Sequence, residues 1–486
     1  MMKAAELLKG IAYAGTPPDA EVSFVTADSR HAGPGAVFVA IKGKKFDGHD
    51  AAEQAIESGA AMVVTERHLG LPGEITVANT RRAYTEICEN FFGNPQKELR
   101  IIAVTGTNGK TTTANIMEQV LKRLGEKAAL IGTIGTDING LAIPAKFTTP
   151  EPWELFSMMR RAVDDGCTWL VMEASSQALD QNRLDGIDFS CSIFTNLTED
   201  HLDYHVTMEN YYQAKKKLFL SSRMSLINID DPYGVRLAGE LSEAGIPYST
   251  YSAVKSADYS GSDFRFRPSG IAFKAVHGDE EAEIEFHVPG KFSIYNALSA
   301  AAALDLMGIP LRDSAQVISG ITGISGRCEV LHSGDATVIC DYAHTADALE
   351  QILSSLKPFT ENRLIALFGC AGERDPAKRR PMAEAVRKYA DYVFVTSDNP
   401  RHDNPAGIMN DYIDMFADWD KPYTIAVDRY FAVAQALSML EKGDMLVLCA
   451  KGHEDYQALD GYTVYQSEHD IVRRFYDGTG GEPWSL

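Results

Sequence analysis

The stretch Gly106-Thr-Asn-Gly-Lys-Thr-Thr112 holds the residue types that cradle a triphosphate. Glycines let the backbone approach an anion closely, and the N–H groups of such a turn point at it. Lys110 would reach the outer phosphates, and the Thr111 hydroxyl would serve as a Mg²⁺ ligand. The spacing is G-x-x-G-K-T, with Val104 where the longer phosphate-loop pattern has glycine. A second group lies downstream. Glu173 ends an apolar run, a natural place for a carboxylate that ligands Mg²⁺ directly or through water. His201 sits in Asn196-Leu-Thr-Glu-Asp-His-Leu-Asp203, a cluster of oxygen and imidazole groups. Lys215 lies in Tyr211-Tyr-Gln-Ala-Lys-Lys-Lys217, where three consecutive lysines by themselves describe a solvated helix face.

These groups need elements to hold them. The apolar run Ile101-Ile-Ala-Val104 predicts a strand leading into the loop. Ile116, Met117, Val120, Leu121 and Leu124 at helical spacing predict a helix leading out, with Gly125 as its stop signal. Further strand-like runs at 169–172, 191–194 and 226–229 alternate with helical stretches, which predicts a mostly parallel sheet with helices on both faces. Ligands of such sheets lie outside the carboxyl ends of the strands. Glu173, Thr195-Asn196 and Asp200-His-Leu-Asp203 all fall there. Before this region, strands are expected at 37–41 and 61–65 around a short helix at 51–58. Asp28-Ser-Arg30 reads as a polar turn and Gly43–Gly48 as a glycine-bounded basic loop. Residues 264–287 alternate like a small β excursion. Beyond Gly326-Arg-Cys-Glu-Val330 the alternation resumes. Strands are expected at 337–340, 364–368, 391–396, 423–427 and 444–449, and helices at 345–356, 380–390, 405–417 and 429–441. The expected architecture is α/β with three domains: residues 1–97, a central P-loop domain over 98–327, and a Rossmann-like domain over 328–486.

A chain of 486 residues calls for two to three cores. The 46 Lys and Arg against 67 Asp and Glu leave a net charge of −21, which disfavours nucleic acid or anionic membrane as a partner. A few basic groups in a cleft can still hold an anionic small ligand. The 7 cysteines are scattered without a C-x-x-C pair and read as reduced core residues. Met1–Gly10 lacks the apolar core of a signal peptide, and no run approaches the roughly 20 apolar residues of a membrane span, so a cytoplasmic protein is expected.

Set beside Thr148-Thr-Pro150, Glu173-Ala-Ser-Ser176, Tyr295-Asn296, Gly326-Arg327, Asp341-Tyr-Ala-His344, Asp398-Asn-Pro-Arg401 and Lys451-Gly-His-Glu454, the stretches above resemble the Mur ligases of bacterial peptidoglycan synthesis. The match runs through all three expected domains, and it is closest to those members that add 2,6-diaminopimelate as the third amino acid of the peptide. The resemblance implies an N-terminal domain holding a UDP moiety, a central ATPase domain and a C-terminal domain that delivers the amino acid. It implies two Mg²⁺ ions, one at Thr111 and one held by Glu173, His201 and a carbamate on Lys215, with Lys110, Glu173, His201 and Lys215 as the catalytic set. Gly106, Thr107, Asn108, Gly109, Lys110, Thr111, Thr112, Asn296, Arg327 and Asp341 would contact ATP. Ala27, Ser29, Lys44, Lys45 and Phe46 would surround the UDP, and Thr148, Thr149, Ser175, Gln181 and Arg183 the muramoyl dipeptide. Gln177 departs from the family's usual histidine and carries no expected role.

Diaminopimelate has a second amino–carboxylate end that lysine lacks, and an arginine fork suits that carboxylate. Arg401 is the candidate, with Arg374 as a second, Glu454 for the distal ammonium, and Asp398, Asn399, Pro400 and Ala450 around them. Ala450 stands where the family often has glycine. The implied reaction consumes ATP, UDP-N-acetylmuramoyl-L-alanyl-D-glutamate and meso-diaminopimelate on a monomer, without nucleic acid or membrane insertion. The rivals are a lysine-adding relative, a folylpolyglutamate synthetase-like ligase, and a nucleotide-dependent switch protein.

Overall fold

The computed structural model describes residues 1–43, 46–267 and 269–478. The chain divides into two compact units. The first comprises residues 1–106, 117–195 and 204–250, and the second 107–116, 196–203 and 251–486.

In the first unit, an N-terminal sheet runs Tyr13–Ala14, Glu74–Val77, Met62–Thr65, Ala36–Val39, Phe24–Thr26, parallel except at the Tyr13–Ala14 edge. Ala36, Phe38, Ala51, Ala52 and Ala55 form its core. The expected helix at 51–58 begins as a 3₁₀ turn, Gly48–Ala51, and becomes α-helical only over Ala52–Glu57. Asp28 caps a second 3₁₀ turn, Ser29–His31, where a polar turn was expected.

Seven further strands of this unit lie in the order Leu141–Ile143, Thr136–Ile138, Ala128–Ile131, Trp169–Glu173, Arg100–Thr105, Cys191–Phe194, Ser225–Asn228. The last five are parallel and the first two antiparallel. Arg100–Thr105 is flanked by Trp169–Glu173 on one side and Cys191–Phe194 on the other, so its carboxyl end is a topological switch point. The register sets Glu173 beside Val104 and Phe194 beside Thr105, which brings three strand ends to one level. These strands are buried on both faces, which is why they read as unbroken apolar runs.

The helix leading out of the loop is Lys110–Arg123. Ile116, Met117, Val120 and Leu121 are fully buried, whereas Leu124 lies past the helix end and is exposed. Gly125 follows at φ 88°, a left-handed stop that glycine adopts without Cβ strain.

In the second unit, the β excursion is an antiparallel meander of Tyr259–Arg267, Gly270–His277 and Glu280–Phe286. A six-stranded sheet runs Glu329–Ser333, Thr337–Cys340, Met445–Leu448, Leu364–Phe368, Tyr392–Thr396, Tyr423–Ala426, parallel beyond its first pair. Helices Ala346–Leu356, Arg379–Tyr389, Pro405–Phe416 and Arg429–Ser438 alternate with these strands, the last ending three residues short of the expected 441. All seven cysteines are buried and free.

Beneath the carboxyl edge of this sheet lies a buried ion pair. Arg429 Nε donates to Glu468 Oε1 at 2.7 Å, and Nη2 donates to the Cys449 carbonyl at 2.7 Å. Nη1 reaches the Ser397 carbonyl at 3.4 Å. One guanidinium thus ties together the ends of strands Tyr392–Thr396 and Met445–Leu448. Arg429→Met would leave the Glu468 carboxylate buried without its partner, at a cost of about 3–5 kcal/mol. The expected result is a clearly earlier unfolding transition in urea for Arg429→Met; a wild-type midpoint would contradict it.

Candidate active site

The strand Arg100–Thr105 passes into the loop through Gly106 at φ 150°. Thr105 is buried, and its hydroxyl donates to the Ala174 carbonyl at 2.8 Å, locking the strand end to its neighbour. Lys215 meets the loop here. Its Nζ donates to the Gly106 carbonyl at 2.7 Å, approaches the Thr105 hydroxyl at 3.5 Å and lies over the Tyr211 ring at 4.6 Å. The residue is 1% exposed. Its two neighbours behave as the composition suggests: Lys216 pairs with Glu240 and Lys217 with Asp180. The helix Met208–Leu220 therefore turns one of three adjacent lysines into the protein and leaves the others outward.

Glu173 is also fully buried. It accepts from the Thr133 N–H at 2.7 Å and from the Thr133 hydroxyl at 3.0 Å. A Cβ on Gly132 would sit 2.4 Å from Glu173 Oε1, so any larger residue there would push the carboxylate aside. Neither Gly132 nor Thr133 was singled out by the sequence. The Thr133 hydroxyl continues to Thr148 Oγ1 at 3.1 Å.

Thr148 joins the group expected around the dipeptide. Thr149 Oγ1 donates to the Glu173 carbonyl and accepts from the Ser175 N–H. Ser175 caps the helix Ser176–Asp180 through the Ala178 N–H. Arg183 donates to Gln181 Oε1 at 2.6 Å and to the Thr149 carbonyl at 3.0 Å, and pairs with Glu151 at 2.6 Å. Burial pushes the Glu151 carboxyl up, against the pull of Arg183. The structure brings all five expected residues together, and Glu151 and Tyr204, which the sequence reading missed, bond to Arg183 and Gln181. Elsewhere in this unit Ala27 and Ser29 flank Asp28, whose carboxyl Arg30 holds down to about 2, and Phe46 is exposed. Lys44 and Lys45 lie outside the described residues.

In the second unit, the rest of the loop is stitched to residues 196–198. The Thr107 N–H donates to the Asn196 carbonyl and the Asn108 N–H to Asn196 Oδ1, both at 2.9 Å. Asn196 Nδ2 returns a bond to the Asn108 carbonyl at 3.1 Å. Thr107 Oγ1 and the Thr198 backbone bond reciprocally. Gly109 takes φ 88°, and Lys110 Nζ folds back on the Thr107 carbonyl at 2.9 Å. Asn296 is buried on the helix Phe292–Leu306, one turn before Ser299, whose hydroxyl lies 3.4 Å from Thr113 Oγ1.

Arg327 Nη2 donates to Thr111 Oγ1 at 2.8 Å, and its guanidinium lies 4.8 Å from the Tyr342 ring centre. Asp341 accepts from the Cys328 and Ala343 N–H groups, both at 2.7 Å. Burial raises its carboxyl, opposed by Arg327 and these two N–H groups. His201 adopts φ 54° and leans on Asp200, its Nε2 at 3.3 Å from Oδ2. Burial alone would raise the Asp200 carboxyl, but His201, Lys378 and His344 hold it well below the usual carboxylate range.

The expected amino-acid loops converge as well. Gly372 N–H donates to the Asn399 carbonyl at 2.9 Å, and Arg401 Nη1 donates to the Gly372 carbonyl at 3.0 Å. Arg374 lies two residues beyond and is exposed. Arg401 itself is left-handed at φ 53° and is anchored by its N–H to the Ala458 carbonyl. Lys451, 1% exposed and given no role from sequence, organises the floor. Its Nζ donates to Glu454 Oε2 at 2.6 Å and Asn399 Oδ1 at 3.0 Å. Burial would raise the Glu454 carboxyl, but Lys451 and Asn399 hold it low. Burial raises the Asp398 carboxyl despite Lys451 and Arg429 nearby. Ala450 takes φ 87°, a conformation costing an alanine roughly 1–2 kcal/mol and a glycine almost nothing.

Among the described residues, no group of three or more His, Cys, Asp or Glu is placed to hold a metal ion. The expected metal residues include a hydroxyl and a lysine arm besides one carboxylate and one imidazole. Hydroxyl and carboxylate oxygens suit a hard divalent cation.

Comparison with known proteins extends over nearly the whole chain. Models of the Mur ligase family match as its catalytic domain at residues 21–90, its middle domain at 104–304 and its glutamate ligase domain at 326–452. A UDP-N-acetylmuramoyl-L-alanyl-D-glutamate–2,6-diaminopimelate ligase of Clostridium perfringens is 40% identical over 483 residues, covering 97% of this chain and 99% of the relative. The ligase of that name from Caldanaerobacter subterraneus subsp. tengcongensis is 39% identical over 478 residues, 97% of this chain and 98% of its own. A solved structure of a ligase of that name superposes with a TM-score of 0.70 at 31% identity, covering 99% of both chains.

The turn at Gly326-Arg327 is pinned by a titratable pair. Glu329 Oε2 accepts from the Gly326 N–H at 2.6 Å and from His469 Nε2 at 2.8 Å. Burial would raise Glu329, but His469 and Gly326 lower it below its ordinary 4.5. The Glu329 hydrogen bond raises His469 above 6.5, outweighing burial. The carboxylate's contribution is complete above 4.5 and lost as pH falls through its lowered value. The imidazolium's is complete below 6.5 and lost as pH rises through its raised value. The Tm difference between wild type and His469→Gln should therefore peak between pH 4.5 and 6.5 and shrink in alkali. A difference that stays flat into alkali would contradict the pairing.

Proposed function

The chain belongs to the Mur ligase family, and from that premise we propose that it is an ATP-dependent, ADP-forming ligase. It adds meso-2,6-diaminopimelate to the D-glutamyl side-chain carboxylate of UDP-N-acetylmuramoyl-L-alanyl-D-glutamate, in peptidoglycan synthesis. The observation that carries the reading is the likeness to a diaminopimelate ligase along 97% of the chain. Residues 1–97, 98–327 and 328–486 form the UDP-binding, ATP-binding and amino-acid-binding domains; the three family models fall at 21–90, 104–304 and 326–452.

The acceptor carboxylate attacks the γ-phosphate, forming an acyl phosphate and releasing ADP. The amine of diaminopimelate then attacks the acyl carbon, and phosphate leaves through a tetrahedral intermediate. Lys110 and the loop amides of Gly109–Thr112 bear on the phosphoryl charge, a positioning and electrostatic task. Asn296, Arg327 and Asp341 complete the nucleotide site. Thr148, Thr149, Ser175, Gln181 and Arg183 orient the dipeptide, and Ala27, Ser29, Lys44, Lys45 and Phe46 the UDP. Arg401 and Arg374 take the distal carboxylate of diaminopimelate. Glu454, already paired with Lys451, presents its charge to the distal ammonium.

Thr111, Glu173, His201 and a carbamylated Lys215 would hold two Mg²⁺ ions, which when bound neutralise charge on the transferring phosphoryl group. Carbamylation joins the neutral Lys215 amine to CO₂ through a new N–C bond and releases a proton. The buried, hydrogen-bonded seat of Nζ at the Gly106 carbonyl supports a structural arm of this kind over a solvated lysine. Among the described residues no helix is long and apolar enough to cross a membrane. A cytoplasmic monomer with small-molecule substrates completes the proposal.

Arg401→Ala should raise the KM for diaminopimelate about tenfold or more, from the loss of charge-assisted hydrogen bonds, and leave the KM for ATP within about twofold. Equal effects on both would remove Arg401 from the amino-acid site. Lys215→Ala should lower turnover by about a hundredfold or more, and native mass spectra of the active enzyme should carry one added CO₂. Full activity of Lys215→Ala, or an active enzyme without the adduct, would overturn the carbamate.

A further inference from the structure

Asp347 lies in the first turn of the helix Ala346–Leu356, beyond the Gly326 turn, and sequence reasoning gave it no role. It is not needed to cap that helix, because the Thr345 hydroxyl already accepts from the Ala348 N–H. Its carboxylate instead faces the phosphate loop. Oδ2 accepts from Asn108 Nδ2 at 2.6 Å, from Thr198 Oγ1 at 3.1 Å and from Gln351 Nε2 at 2.8 Å.

The first two donors belong to the two segments that build the loop's wall. The Asn108 backbone is already bonded in both directions to the Asn196 side chain, and the Thr198 backbone in both directions to Thr107 Oγ1. The side chains of Asn108 and Thr198 are the remaining polar groups of that stitch, and both end on one carboxylate oxygen. Asn108 was expected to contact ATP directly. Its amide nitrogen donates to Asp347, and the three donors absorb a negative charge that would otherwise repel a phosphate.

We propose that Asp347 is a positioning residue that holds the phosphate loop in its nucleotide-binding shape through Asn108 and Thr198. The proposal rests on the reading of Gly106–Thr112 as the ATP site. Asp347 touches no reacting atom. It acts through the loop, so its loss should fall on nucleotide binding more than on the chemistry of the other substrates.

The test is steady-state kinetics of the full chain with each substrate varied in turn, together with thermal unfolding. Asp347→Ala should raise the KM for ATP about tenfold, as expected for losing charge-assisted hydrogen bonds to a loop, with the other two KM values within about twofold. Asp347→Asn, which retains one acceptor oxygen, should fall between Asp347→Ala and wild type. Gln351→Ala, which removes only the bond within the helix, should leave the KM for ATP unchanged. Asn108→Ala combined with Asp347→Ala should be no worse than the more damaging single variant, because both remove the same tie. A wild-type KM for ATP in Asp347→Ala would overturn the proposal. So would a rise in all three KM values with a lowered Tm, or the same loss in Gln351→Ala. Absence of ATP-dependent ligation in the wild type would instead mark failure of the reading on which the proposal rests.

Discussion

A tight loop at the end of a buried strand must satisfy its own backbone before it can bind anything, and Asn196 meets that constraint here. Its carbonyl takes the Thr107 N–H, its side-chain oxygen takes the Asn108 N–H, and its side-chain nitrogen returns a bond to the Asn108 carbonyl. Leaving one such group buried without a partner costs about 1–3 kcal/mol, so losing three would dissolve the turn. The backbone of Thr107 and Asn108 is thereby held by protein. The turn at Gly109, the lysine and the threonines follow, within the stretch we propose as the ATP site.

The same economy governs the loops we propose for the amino acid, where buried charges hold neighbouring groups in place. Arg429 braces the ends of two strands against Glu468, and Lys451 braces Glu454 against Asn399. Arg401 and Ala450 stand in left-handed conformations that non-glycine residues seldom hold. Strain of this kind persists only where the surroundings over-determine the backbone. Around Arg401 those surroundings are the Ala458 carbonyl, the Gly372 carbonyl and the Asn399–Gly372 bond.

Much of this was legible in the residues. Strands buried on both faces announce themselves as apolar runs, and those at 169–172, 191–194, 337–340 and 364–368 lie within a residue of their observed bounds. The strands Thr136–Ile138 and Glu74–Val77 were missed because polar residues interrupt their apolar ones, and Ala128–Ile131 because it opens on two alanines, which favour helix. The grip of Thr133 on Glu173 joins residues 40 apart and leaves no local mark. Lys215 shows the limit most plainly. Three adjacent lysines read as solvent-facing, and only the packing of Tyr211, Leu218 and Phe219 on the same helix turns the first of them inward. Lys451 stood only within the motif Lys451-Gly-His-Glu454, without a role, and Asp347 not at all, because a buried lysine and a helix-start aspartate are told apart from surface ones only by what lies across from them.

On the proposed reading, this ligase couples ATP cleavage to selection of an amino acid with a second amino–carboxylate end. The most direct test is phosphate release by the purified chain, with ATP, Mg²⁺ and UDP-N-acetylmuramoyl-L-alanyl-D-glutamate, against a panel of amino acids. Sustained release is expected with meso-diaminopimelate and little with lysine or glutamate. Release that is equal for lysine, or that proceeds without the UDP-linked dipeptide, would contradict it.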